Sequence, residues 1–395
     1  MVSISNPAGH ASIPPVHAVL AHGAAGRSEL PLSLWALGYL AAAAVALAAI
    51  ARYALRPRLD PVGQVVDPLV DRVDAVIGVV VRVAVIATIA AVVISAFFGD
   101  LGRTSTPNIV VYIALWVGLP LATLVAGDVL RAPEPLLAPT HWPAALGLFA
   151  FVWLELAYHD PSSPEPIGIA VIAYVVVMLL RARRWGRRWL RTGEGFTVWL
   201  TFVAALAPLH RDGGRLHVRA PGVGLQRVET RPGTRAVLAV IVGSVVFDVL
   251  TRTVRWESFM GDRAGWSKSP WLTLGLVACI ALVALTFTAV PAGDTAALIP
   301  VAVSWLLALY LSLFLIEGQT MIAAASDPLG RGWDIFGTAN RDVDFRLFPD
   351  QLITGAQLAL LAVGHAAGTL AARERRTTIA LTGFAFAGVV VLLGR

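Results

Sequence analysis

From residue 31 to its end the chain alternates long apolar runs with short polar connectors. Runs of about twenty apolar residues match the ~30 Å hydrocarbon core that a helix must cross. The pattern predicts spans over 31–54, 73–98, 108–130, 143–159, 166–182, 236–254, 271–291, 295–322, 351–371 and 377–394. Each must be helical, because lipid offers no partner to a free backbone N–H or C=O. Pro31, Pro107, Pro143, Pro166 and Pro270 fall at or just before predicted starts, where a missing N–H costs little. Pro120 predicts a kink inside the third span. The stretch "FTVWLTFVAALAPL", 196–209, is short for a span and predicts an interfacial or re-entrant helix. The balance of basic residues favours neither placement, so length decides. The expected fold is an all-α polytopic integral membrane protein with about ten transmembrane helices, eleven if 196–209 spans.

Composition strengthens that reading. Of the 395 residues 57% are hydrophobic and mean hydropathy is +0.73, too apolar for a surface that meets water. The expected organisation is an extracytoplasmic tail 1–30, a five-helix half 31–182, an Arg-rich cytoplasmic segment 183–235 with the interfacial helix, and a five-helix half 236–395. The location expected is the plasma membrane. The first thirty residues lack a basic start followed by an apolar core, so the first span is expected to serve as the targeting signal. Cys279 is the single cysteine and lies mid-span, which excludes an internal disulfide framework. The net charge of +6 comes from residues clustered beside the spans, which marks membrane topology and not a nucleic-acid partner. The run "RARRWGRRWLR", Arg181 to Arg191, is expected to anchor the cytoplasmic side and to meet anionic lipid headgroups of the bilayer.

A charge at mid-bilayer costs roughly 2.5–3.5 kcal/mol, so each one inside a span needs a reason. Arg82, Glu155, Asp248, Glu317 and His365 are the groups concerned. Glu155, Asp248 and Glu317 are expected at similar depth, and His159 follows Glu155 by four residues on the same helix face. Together they predict an outward polar pocket in which Glu155, Asp248 and Glu317 are catalytic candidates. His159 and Glu155 are the candidate ligands of a divalent metal. A proton relay fits the same residues, and so does separate pairing of each carboxylate, with Arg82 and Arg252 as partners. His365 sits between Gly364 and Gly368, a small-residue packing face across which its imidazole is expected to bond as a buried polar group.

The connector 326–350 holds five aspartates and three arginines with Gly330, Gly332 and Gly337. A connector of this length without structure is uncommon unless it is a lid or binding loop. It is expected to be a cap folded by internal ion pairs, with Asp327, Arg331, Trp333 and Asp334 over the pocket. His22, the tail histidine nearest the first span, is expected beside them.

No P-loop, G-x-S-x-G, H-E-x-x-H or C-x-x-C motif is present. The segments "AHGAAGRSELPLSLW", "GSVVFDVLTRT", "EGQTMIAAASDPLGRGWDIFGTA" and "GHAAG" resemble actinobacterial multi-pass membrane proteins known as fenitrothion hydrolases. The resemblance runs over most of the chain, with "SDPLGRGWDIFGTA" as its most specific element. It implies hydrolysis of an organophosphorus ester and carries over no catalytic residue. This chain departs from that pattern at Leu309 and Ala372, where the family carries histidine. Three functions stay open on the sequence: a metal-assisted membrane hydrolase, a transporter handling protons or metal ions, and a scaffold without chemistry.

Overall fold

The computed structural model describes residues 64–65, 68–100, 105–129, 140–186, 189, 193–212 and 215–393. The predicted span 31–54 and His22 lie outside these residues. Seven helices among those described are long and apolar enough to cross a membrane, their apolar parts being Val76–Phe98, Thr106–Ala126, Pro164–Trp185, Thr234–Thr251, Gly265–Phe287, Ala292–Ser326 and Asp350–Ala371. Seven of the ten expected spans are therefore matched in this way. In chain order the helices are α1 (Pro68–Phe98), α2 (Thr106–Ala126), α3 (Trp142–Leu156), α4 (Pro164–Trp185), α5 (Gly195–Ala204), α6 (Thr234–Thr251), α7 (Val254–Met260) and α8 (Ser269–Phe287). They continue with α9 (Leu298–Ile316), α10 (Thr320–Ser326), α11 (Asp350–Ala371) and α12 (Arg375–Leu393). Helix α3 is where the span 143–159 was expected, and at 15 residues it is a shorter apolar helix.

Helix direction alternates. The loop after α10 lies against the end of α1, since Asp100 N–H donates to Leu329 O at 3.1 Å. The opposite end holds a small sheet that the all-α expectation did not include. Its strands β1 (Gln64–Val65), β2 (Leu209–Asp212) and β3 (Arg215–Val218) pair antiparallel in the order β1-β3-β2. Gly127, just past α2, crosses β2 so closely that a Cβ would sit 2.1 Å from Leu209 O, and its φ is +74°. Only glycine fits there.

The core lies around α9, whose residues from Leu298 to Tyr310 are all buried. Helix α11 meets it through glycines. A Cβ on Gly364 would lie 2.1 Å from Ser304 Oγ, and one on Gly368 2.7 Å from Ala297 O. This is the small-residue contact expected from "GHAAG". On the outer faces the picture reverses: Val76, Val79, Val83 and Ile86 of α1 are exposed, a surface suited to hydrocarbon rather than water.

Within α2 the turns Ile109–Gly118 are wound wide, with Leu119 N–H reaching back to Ala114 O. Pro120 follows and has no N–H to donate, so the expected irregularity at this proline is preceded by a stretch of i→i+5 turns.

Helix α5 is the short element 196–209. It is ten residues long, about 15 Å, or half a hydrocarbon core. An interfacial helix keeps one polar face in water, whereas seven of these ten residues are buried, Trp199 and Val203 completely. Gly195 abuts Leu148 in the middle of α3, and Phe202 lies 5.6 Å from the ring of His141 at its start. Helix α5 is thus packed inside the bundle and leads directly towards β2.

Candidate functional site

Glu155 stands one residue before the end of α3, with a carboxyl enclosed by protein and an Oε2 that makes no hydrogen bond. The groups that act on it are Asp248 and Arg252 of α6 and the Tyr310 hydroxyl of α9. Asp248 and Arg252 are one helical turn apart, and Arg252 Nη2 donates to Asp248 Oδ2 at 2.6 Å. Trp116 of α2 lies near Tyr310, and Tyr112, one turn earlier, is close enough to Glu155 to feel its charge. Four helices thus converge on two carboxyls and one guanidinium.

Sequence reasoning grouped Glu155, Asp248, Glu317 and His159. The first two are near enough to act on each other electrostatically, beside Arg252, which was named as a candidate partner and pairs with Asp248. Glu317 and His159 are not among the groups acting on Glu155. Glu317 opens the 3-10 turn after α9, and His159 packs between Tyr158 and Trp266 at ring separations of 4.4 and 4.1 Å. Among the described residues no three or more His, Cys, Asp or Glu side chains are gathered to hold a metal ion. The Glu155–His159 pair therefore lacks the donor set a divalent metal needs.

Arg82 was expected to be buried and is exposed on α1. Its long stem lets the guanidinium leave the helix face for a polar level, so burial is not required. His365 is fully buried, but its Nδ1 bonds its own helix at Leu361 O, 2.8 Å away, instead of reaching across the glycine contact.

The loop 326–350 is organised by backbone amides. Asp327 accepts from the N–H groups of Arg331 and Gly332 at 2.9 and 2.7 Å, and Asp334 from that of Ala339 at 2.9 Å. Ser326, fully buried, accepts from the N–H groups of Phe336 and Thr338. Among the described residues no ion pair is seen within the loop, and three of its five aspartates, Asp327, Asp334 and Asp344, are occupied as turn acceptors. Arg331 reaches Phe98 O at 3.2 Å, while Trp333 and Phe336 are exposed. The loop does line a cleft, of about 310 Å³, together with Ser95, Asp100, Thr106 and Thr320. Glu155, Asp248 and Glu317 are not part of its wall, so the loop covers a cleft beside α1, α2 and α10 and not the carboxyl pair.

Buried charged residues were missed, among them Glu194 and Arg219 at the two ends of α5. Glu194, at the N-cap of α5, accepts from the N–H groups of Phe196 and Thr197 at 2.7 and 2.5 Å and from Tyr174 OH at 2.5 Å. Tyr174 is midway along α4, so this carboxylate sits deep in the bundle. At the other end of α5, Arg219 donates to the carbonyls of Ala204, Ala205 and Ala207. Negative charge at the start and positive charge at the end match the helix dipole. The signal was the cap pattern "GEGFT" before an apolar run. Between Glu194 and Glu155 stand Trp116, Phe151 and Phe196, with centroids 4.8 to 6.4 Å apart.

Compared with family models, curated proteins and solved structures, the chain matches none.

Proposed function

We propose that the chain is a multi-pass carrier of the plasma membrane that loads and releases a proton at the Glu155–Asp248 pair. One observation supports this reading above the others. An enclosed carboxyl with an unbonded oxygen lies beside a second carboxyl that already holds the local arginine. With both carboxyls ionised, Arg252 balances only one charge, and an uncompensated charge in a dry interior costs several kcal/mol. A proton that arrives and leaves settles the balance in both states. Trp116, Phe151 and Phe196 pack ring on ring beside this pair, and in this reading they form the gate towards the sheet end. A discontinuous helix beside the site, here α5, is a recurring device of carriers that expose one site alternately to two sides.

The remaining features fit the same frame. Nine of the described helices, seven of them long and apolar enough to cross alone, are read here as crossings, and the predicted span 31–54 would make ten. The Arg-rich end then faces the cytoplasm, and Arg181 and Arg184, stacked on Trp185, meet anionic headgroups there. A hydrolase of organophosphorus esters needs a centre that activates water, and the missing donor set weighs against that reading.

Infrared titration of the protein in lipid tests the proposal without knowledge of the co-substrate. A protonated-carboxyl band that titrates reversibly, and disappears in Glu155→Gln, is the expected result. An unchanged band in Glu155→Gln, or none in the wild type, would refute it.

A further inference from the structure

The cleft under the loop 326–350 and the carboxyl pair are joined by one side of α2. Ser105, Asn108 and Tyr112 follow one another there at helical spacing, in the turn that opens the helix and the wide turns after it. Ser105 lines the cleft. Tyr112, at the other end of the row, feels the charge of Glu155. Asn108 stands between them and is only 8% exposed. Its Nδ2 donates to Ser105 Oγ at 3.0 Å and to Ser162 O at 2.7 Å, while Tyr112 OH donates to Pro161 O at 3.1 Å. Two consecutive carbonyls between α3 and α4 thus hold the row against the segment that follows Glu155. Ser162 O can only accept, which fixes the orientation of the Asn108 amide. Asn108 Oδ1 therefore faces away from Ser162, enclosed and without a hydrogen-bond partner. Glu155 Oε2 is a second enclosed oxygen without one. Buried polar atoms are nearly always bonded, so these two acceptors call for a donor. Tyr112 does not supply it, because its hydrogen is held by Pro161. Water does, since a buried water bonds about two to four polar groups and brings its own hydrogens.

We infer that waters held by Asn108 Oδ1 and the Tyr112 hydroxyl oxygen form the route by which protons pass between the cleft and Glu155. The inference rests on the reading of Glu155 as the group that loads and releases a proton. A water in this seam takes up a proton from water in the cleft and passes a different one of its hydrogens to Glu155 Oε2. The carboxylate becomes neutral and the seam water is restored; release runs the same steps backwards. Asn108 and Tyr112 are positioning residues here. An amide has no proton to exchange at ordinary pH, and Tyr112 keeps its own on Pro161 O. The route leaves Glu155 at the loop end. Trp116, one turn beyond Tyr112 on α2, begins the stack of rings with Phe151 and Phe196. The carboxyl therefore has a hydrated side and a closed side, as a site exposed alternately to two compartments requires.

The test uses the full chain in lipid vesicles. A light-released proton drops the pH, and infrared absorption follows the rate at which the protonated-carboxyl band of Glu155 grows. Asn108→Leu should slow that rate at least about 10-fold, the equivalent of one lost water hydrogen bond, and leave the equilibrium titration of the band in place. Asn108→Asp keeps an acceptor oxygen at the same position and should restore most of the rate. An Asn108→Leu rate equal to wild type overturns the inference, and so does equal slowing in both variants, which marks a structural role. Should Asn108→Leu fail to fold, Ser105→Cys in a Cys279→Ser background is modified after folding with a small impermeant thiosulfonate. Slower protonation of Glu155 after modification is expected; an unchanged rate, or no reaction at the thiol, overturns the route. The two readings fail separately. A titrating band with unaltered kinetics in these variants refutes the route alone, whereas a wild type without the band refutes the proton site and the route with it.

Discussion

His141, at the start of α3, is buried and places Nδ1 2.9 Å from Thr234 Oγ1, tying α3 to α6. Burial, and then the Arg231 guanidinium, lower its pKa from 6.5 to about 4. The folded state therefore prefers the neutral ring. Its contribution is complete above about pH 6.5 and is lost as pH falls from there towards 4, because the unfolded chain takes up the proton first. Denaturation midpoints in one detergent should decline across that window, and His141→Gln should flatten the decline. An equal slope in both proteins would show that other groups set it. Residues of this kind were only partly legible. The costly groups inside spans, Glu155 and Asp248, stood out because lipid penalises them, and Arg252 could be named from its spacing. His141 gave no such signal, since its partner Thr234 is 93 residues away. Arg82 gave a misleading one: position along a helix was visible, but the face it occupies was not.

At the scale of elements, long apolar runs announced their helices because length and hydropathy suffice to define a crossing. The short run 196–209 announced its length but not its path, which depends on contacts with α2, α3 and α9 that lie far away in sequence. Its stability depends on both ends. Four backbone N–H groups at the start of any helix lack internal partners, and inside a bundle water does not satisfy them. Glu194 serves two of them, and Arg219 serves the carbonyls at the far end. Glu194→Gln keeps one acceptor oxygen and removes the charge, so it should destabilise the protein by roughly 1–3 kcal/mol. Arg219→Met should leave the end carbonyls unpaired at a similar cost. Thermal unfolding of both variants beside wild type measures this. Melting curves that overlay the wild type would mean that α5 is held by packing alone. The cap loop shows the same limit of sequence reading: five aspartates and three arginines looked like ion pairs, but turn geometry places the carboxylates of Asp327, Asp334 and Asp344 against backbone amides instead.

For the whole molecule, the sequence separated apolar from polar, but its basic residues were balanced, so the cytoplasmic side of the Arg-rich segment rested on the length of 196–209 alone. The folded arrangement narrows the question, because the sheet, the Arg-bearing end of α4 and the C-terminal end of α5 share one end, while the loop 326–350 lies at the other. Basic residues stay preferentially on the cytoplasmic side, so the loop should face outward. Asn340 in the loop and Gln226 beside the sheet are both exposed, and each can carry a cysteine in a Cys279→Ser background. An impermeant maleimide added to intact cells should label Asn340→Cys fully and Gln226→Cys only after the membrane is opened. The reverse pattern would invert the orientation and place the carboxyl pair nearer the cytoplasm. Labelling of both in intact cells would be more serious, since it would put the sheet and the loop on one side. In that case α5 would have to cross or α3 would have to turn back, and the alternation from which the ten crossings are inferred would fail.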